Sequence, residues 1–271
     1  MKTDVLIHPA ALVSAEAHLE AGVCVGPFAV IEGKTRIGSG SQIGAHAVIK
    51  RFTSIGRDNR IHEHVILGGE PQDVHFQGEE SRLEIGDNNI IREGVTIHRA
   101  TGKDQATRVG DDNFLMGYAH LAHNCEISDH VTVANNGTLA GHVRLESGAF
   151  ISGGVVIHQY CRIGRIAMVG GNSKIVQDVL PFFITDGVPG RVRGVNVVGL
   201  RRAGIRASQL KVLKEAYHIL LTRGMPLEEA LEKMSQLDEP LVKELIAFAR
   251  ASERGFCHAE RRGDEAANGA E

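Results

Sequence analysis

Residues 116–161 read MGYAHLAHNCEISDHVTVANNGTLAGHVRLESGAFISGGVVIHQYC, with an aliphatic side chain at every sixth position from Leu121 through Ile127, Val133, Leu139, Leu145 and Ile151 to Ile157. Extended in both directions, the same register runs from Ile7 to Ile175. Of its 29 positions only Asp73, Glu79 and Lys103 are not aliphatic. A period of six matches neither the 3.6 of a helix nor the 2 of an ordinary strand. It describes a parallel β-solenoid in which each hexad is a short strand and a corner, and three hexads close one coil. The aliphatic side chains stack inward, coil upon coil, at about 4.8 Å per step.

Four residues after each aliphatic comes a small one, as at Ala11, Ala17, Ala29, Thr35, Ser41, Ala47 and Thr53. Glycines directly after the aliphatic, among them Gly26, Gly38, Gly44, Gly56, Gly86, Gly110 and Gly164, are expected to give the corners backbone freedom. Two polar stretches, near residues 68–82 and 100–108, interrupt the pattern and read as loops leaving the scaffold, where binding residues often sit. The repeat ends at Pro181. From Ala207 the spacing becomes helical, with Gly224 and Pro226 separating two helices and a third following in EPLVKELIAFARASERG. The expected organisation is a solenoid over 1–190, a helical domain over 191–256 capping its end, and a disordered polar tail over 257–271.

Composition agrees with a thin aliphatic core: aromatic residues make up 4% of the chain, Trp is absent and Gly numbers 32. A formal charge of -3 gives no reason to expect nucleic acid or a membrane surface as partner. No apolar run reaches the roughly 20 residues that span a bilayer, and the first residues lack the charged-then-apolar pattern of a signal peptide, so a cytoplasmic protein is expected. Cys24, Cys125, Cys161 and Cys257 form no CxxC pair and read as reduced thiols.

Eighteen residues per coil convert spacing into geometry. His123, Gly141 and Gln159 fall in one column, and Asn124, His142 and Tyr160 in the next. A histidine beneath a glycine amide can act as a general base below an oxyanion donor, since glycine lets the backbone approach a reacting carbonyl. The bland reading, surface histidines on a repetitive scaffold that carries 14 of them, stays open. So does a zinc site with His98, His120 and His123 as three imidazole ligands.

AHLAHNC, ANNGTLAGHV, VIHQYCRIG, QDVLPFF, REGVTIHR and GVNVVGLRRAG together resemble the UDP-N-acetylglucosamine O-acyltransferases of lipid A biosynthesis. The similarity spans almost the whole chain, from HPAALV onward. It implies a left-handed parallel β-helix, a homotrimer, and transfer of a long 3-hydroxyacyl chain from acyl carrier protein to the 3-position of UDP-N-acetylglucosamine, the first step of lipid A biosynthesis. No cofactor or metal is implied. The second histidine of AHLAH, His123, matches the general base, and the Gly141 amide the oxyanion donor. His120, His142 and His158 match substrate-positioning groups, as do Gln72 and Asp73 in the first loop. Gln159, Asn196 and Arg202 match nucleotide-binding positions, and Gly171, facing Pro189, matches the residue that sets acyl-chain length.

Three positions depart from that pattern. Asn124 follows the base where the family usually has Asp, Val198 stands in place of an acid, and Ala203 replaces a basic residue. An amide can orient an imidazole but stabilises imidazolium less well than a carboxylate does. Acylation of the 3-amino-3-deoxy sugar is therefore an alternative, as is a coenzyme A-dependent acetyltransferase of the same solenoid class. Seven basic residues between Arg191 and Lys214, with no acid among them, read as a docking patch for acidic acyl carrier protein.

Overall fold

The structure is a computed structural model and describes residues 4–221 and 224–259. It is a left-handed parallel β-helix whose three walls begin with Leu6–Ile7, Leu12–Val13 and His18–Leu19. Most strands are two residues long, and each pairs in parallel with the strand one coil away, as Leu115 does with Val133 and Leu121 with Leu139. From Val25 onward the aliphatics of the register are buried, and so are most of the small residues four positions on: Ile37, Ile97, Leu121, Ala29 and Ala47 are all inaccessible, whereas Ile7 in the first coil is exposed. Two inward side chains per hexad fill the thin interior without rings. At the third corner three successive coils place Asn59, Asn89 and Asn113 at the small position. Asn59 Oδ1 accepts from the Asn89 amide at 3.0 Å, Asn89 Oδ1 from Asn113 at 2.9 Å and Asn113 Oδ1 from Val131 at 2.7 Å, a ladder that satisfies buried corner N–H groups.

The corners are not built as the glycine pattern suggested. In most hexads the residue three after the aliphatic adopts a left-handed backbone, and most of these residues are not glycine: His46 at φ 59°, Asp112 at 55°, Tyr118 at 60°, Asn124 at 57° and His142 at 61°. Such a conformation costs an L-residue about 1–2 kcal/mol. Most of these amides donate to a carbonyl one coil below, as His142 does to His123 at 3.0 Å and Tyr160 to Gly141 at 3.1 Å, while that of Asn124 donates to the Thr107 hydroxyl at 2.8 Å, and these bonds offset the cost. The glycines that follow the aliphatics serve close approach instead. A Cβ on Gly38 would lie 2.6 Å from the carbonyl carbon and oxygen of Gly56, with no flexible side chain able to yield. Gly38→Ala is expected to lower stability by about 1–3 kcal/mol, read as a lower midpoint in urea unfolding at constant m. An unchanged midpoint would contradict this account of the corners.

Both excursions leave from the corner that follows the second wall, the first after Ile66–Gly69 and the second after Thr96–His98. They rejoin at Arg82–Ile85 and Ala106–Val109 on the third wall. Across them Ile61 pairs with Ile91 and Ile91 with Leu115, thirty and twenty-four positions apart rather than eighteen. The insertions are thus whole multiples of six. This is why the register survives them and why Asp73, Glu79 and Lys103 are the positions that break it.

At the far end the core closes on the inaccessible rings of Phe182 and Phe183. Phe183–Asp186 turns back into Arg191–Val195, which pairs antiparallel with it and extends the first wall, so residues 191–195 belong to the solenoid sheet and not to the helical part. Among the described residues four helices follow: α1 (Val197–Arg202), which the spacing did not reveal, α2 (Ala207–Leu221), α3 (Leu227–Ser235) and α4 (Pro240–Arg250). Arg165 forks onto Glu244 of α4 with two bonds of 2.8 Å, and Arg162 lies 4.2 Å over the Phe248 ring. Part of the expected disordered tail is ordered. Asp178 donates to the Gly255 carbonyl and accepts from the Cys257 amide at 2.8 Å, Val192 donates to His258, and Cys257 is buried, because the last solenoid coil offers an unpaired edge. Residues 260–271 lie outside the described residues.

Candidate active site

The corner after the second wall collects what the sequence scattered. Both excursions, His123 with Asn124, Gly141 with His142, and His158 with Gln159 and Tyr160 all occupy it. Asn124, the left-handed residue of its hexad, holds its Oδ1 2.9 Å from His123 Nδ1. Its amide orientation is fixed from the other side by Thr101 of the second excursion. The Thr101 N–H and hydroxyl both donate to Oδ1 at 2.9 Å, and Nδ2 donates to the Thr101 carbonyl at 3.1 Å. With Oδ1 facing the ring, Nδ1 of His123 must carry the hydrogen, which leaves Nε2 with a free lone pair. Thr101 is the residue that spacing missed: it lies outside the hexads, and nothing in its local sequence sets it apart.

Gly141 sits one coil above. A Cβ there would lie 2.7 Å from both Cε1 and Nε2 of His123, so only glycine leaves room between the imidazole and the backbone. Among the described residues the Gly141 N–H donates to no acceptor. At Arg51, the equivalent position on another coil of this corner, Glu32 Oε2 accepts that N–H at 3.1 Å. A bare lone pair and a bare N–H one coil apart can hold a hydroxyl oxygen and a developing oxyanion.

Around this pair His142 packs edge-on to His123 at 5.3 Å and stacks on Tyr160 at 4.5 Å. Burial, then His123 and Arg144, lower the His142 pKa, while Asp73 in the first excursion acts in the opposite direction. His120, lowered by burial, has its Nδ1 2.7 Å from Thr96 Oγ1. Gln72, His158, Gln159 and Gly171 are exposed. A Cβ on Gly171 would meet only the Gly153 carbonyl oxygen, at 3.5 Å, so packing within the chain does not require glycine there. The excursions brace each other through Glu79, whose Oε1 accepts from the Gly102 amide at 2.8 Å and whose carbonyl accepts from Arg99 at 3.0 Å.

Two of the expected nucleotide-binding residues are elsewhere. Asn196 caps α1 and is buried, its Oδ1 accepting from Gly199 at 3.0 Å and its Nδ2 donating to the Ile166 carbonyl at 2.8 Å, so within one chain its amide is committed to structure. Ile166 marks the corner after the third wall, not that of His123, and Arg202 lies exposed at the end of α1. His98 and His120 meet edge-to-face at 4.9 Å, and no group of three or more His, Cys, Asp or Glu among the described residues is arranged to hold a metal ion.

Burial, with His120 and His123 nearby, lowers His98 from its ordinary 6.5 to about 4. Its Nδ1 is buried without a partner among the described residues. As pH falls the unfolded chain takes up this proton first. Stability is therefore expected to drop progressively from about pH 6.5 to 4, by up to about 3 kcal/mol from this group. Chemical unfolding at pH 7 and pH 4 should show a smaller difference in His98→Gln than in the wild type; an identical difference would remove His98 as the cause.

No helix among the described residues is long and apolar enough to cross a membrane. The family described as UDP N-acetylglucosamine O-acyltransferase, domain 2, matches residues 178–257. The chain is 46% identical over 188 residues to the acyl-[acyl-carrier-protein]--UDP-N-acetylglucosamine O-acyltransferase of Gloeothece citriformis, covering 69% of this chain and 68% of that one. In structure it is similar to LpxA from Acinetobacter baumannii, with TM-score 0.90, 36% identity, and coverage of 93% and 100% of the two chains. It is likewise similar to LpxA, a UDP-N-acetylglucosamine acyltransferase, from Bacteroides fragilis, with TM-score 0.91, 36% identity and the same coverage.

Proposed function

The chain belongs to the family of acyl-[acyl-carrier-protein]--UDP-N-acetylglucosamine O-acyltransferases, and on that basis we propose that the His123 corner moves a long 3-hydroxyacyl chain from acyl carrier protein to the sugar 3-hydroxyl in the first step of lipid A biosynthesis. His123 Nε2 takes the hydroxyl proton as the sugar oxygen attacks the thioester carbonyl carbon. The negative charge that develops on the carbonyl oxygen is met by the Gly141 N–H. Collapse breaks the carbon–sulfur bond, and the departing thiolate recovers the proton from His123. The observation that carries this reading is the pairing of an Nε2 lone pair, fixed through Asn124 and Thr101, with an unused amide directly above it.

The remaining roles follow from position. Asp73 and His142 flank the sugar, and Gln72, His120, His158 and Gln159 line the corner on either side. Gly171, which packing leaves open, lies along the acyl chain, and a side chain there would shorten it. Asn196 and Arg202 sit away from His123 on one chain and would join it only across a neighbouring copy, which supports a homotrimer. The exposed Arg201, Arg202, Arg206, Lys211 and Lys214 form the surface that would receive acidic acyl carrier protein.

Asn124 supplies the second reading. Its neutral carbonyl orients His123 without the charge that favours imidazolium, and an amine acceptor places less demand on the base, so N-acylation of the 3-amino-3-deoxy sugar fits the same geometry. Acyl transfer from a panel of 3-hydroxyacyl carrier proteins and from acetyl-coenzyme A, offered to both sugars, separates the possibilities. The O-acyltransferase reading expects turnover of UDP-N-acetylglucosamine with carrier-protein donors. Turnover of the amine alone, or with acetyl-coenzyme A alone, would overturn it.

A further inference from the structure

The segment that returns to the solenoid after α4 brings one cation to the histidine corner. Arg254 Nη2 lies 3.4 Å from His158 Nδ1 and 3.2 Å from the Val176 carbonyl oxygen, and the guanidinium neighbours the Cys161 thiol. The segment is anchored on both sides of Arg254. Ser252 Oγ donates to Asp178 Oδ2 at 2.8 Å, and Gly255, Cys257 and His258 pair with the last coil.

His158 Nδ1 has a second neighbour, the Gln159 carbonyl oxygen at 3.2 Å. The two make opposite demands. A guanidinium only donates and needs Nδ1 bare, whereas a carbonyl only accepts and needs Nδ1 to carry the hydrogen. A hydrogen bond with a charged donor is about twice as strong as a neutral one. The arginine therefore decides which ring nitrogen carries the hydrogen.

We infer that Arg254 is a positioning residue that keeps Nδ1 of His158 bare and its hydrogen on Nε2, so that His158 presents a donor to an oxygen of the bound acyl group. The inference rests on the reading above that His158 positions substrate. It gives the corner a division of labour set by what touches each Nδ1. Asn124 offers an oxygen to His123 and makes its Nε2 an acceptor; Arg254 offers N–H to His158 and makes its Nε2 a donor.

A double-mutant cycle on the full-length enzyme tests this, with kcat and KM measured for carrier-protein donor and UDP-N-acetylglucosamine. Arg254→Ala is expected to lower kcat/KM about tenfold in the wild-type background and to have no further effect in His158→Ala, while Arg254→Lys, which keeps a cationic donor, recovers part of the loss. Equal losses in both backgrounds, or no loss when His158→Ala is itself impaired, would overturn the inference and leave Arg254 as a structural anchor. Full activity of His158→Ala would instead overturn the substrate role of His158 on which the inference rests.

Discussion

Replacing His123 with alanine is expected to lower kcat for acyl transfer by about 10²–10⁴, the range a positioned general base contributes, with KM for the sugar nucleotide nearly unchanged. The direction follows from the tautomer. Asn124 Oδ1, 2.9 Å from Nδ1 and held by Thr101, leaves Nε2 as the basic atom. His120 shares its Nδ1 with a threonine hydroxyl that can either donate or accept, and His142 is held through ring stacking on Tyr160. The side chain of His123 is half-buried and outside the aliphatic columns, so the variant should melt like the wild type. Kinetics of the purified variant, with its melting curve as a control, check this. Activity within a few-fold of wild type would assign the base elsewhere.

Gly141→Ala is expected to lower kcat by about 10²–10³, comparable to the loss of an oxyanion donor, although the N–H itself remains. The added methyl would stand 2.7 Å from Nε2 and Cε1 of His123, closer than carbon contacts allow, and occupies the space in which the sugar oxygen must meet the base. The imidazole cannot simply retreat, because Nδ1 is tied to Asn124. Gly141 is not among the residues with a left-handed backbone, so alanine strains nothing in the main chain, and the thermal midpoint should move little. Steady-state kinetics beside a thermal melt distinguish the outcomes: a near-normal kcat would mean that the reacting atoms lie away from this pair.

The solenoid was legible in the sequence because its core imposes one constraint at every sixth residue, and Ile7 to Ile175 obey it across two insertions. The column that places Gly141 over His123 followed from the same arithmetic. The corners were misread for a physical reason. Asn, Asp, His and Tyr take the left-handed positions because an inter-coil hydrogen bond offsets the strain, whereas the glycines answer to a neighbouring backbone that a single hexad does not reveal. Thr101 and Arg254 were illegible for another reason. Each acts from outside the repeat, one from an excursion and one from the segment beyond α4, and their targets are set by tertiary contact alone. Asn196 is marked by a family motif as a ligand group, and what the motif does not reveal is that within one chain its side chain also caps a helix.

The most direct test of the central claim is a crystal structure with the acylated sugar nucleotide bound. The account predicts the 3-oxygen of the glucosamine within about 3 Å of His123 Nε2 and the acyl carbonyl oxygen within hydrogen-bond reach of the Gly141 amide. A complex in which the 3-oxygen faces another histidine, or in which the carbonyl turns away from Gly141, would contradict it.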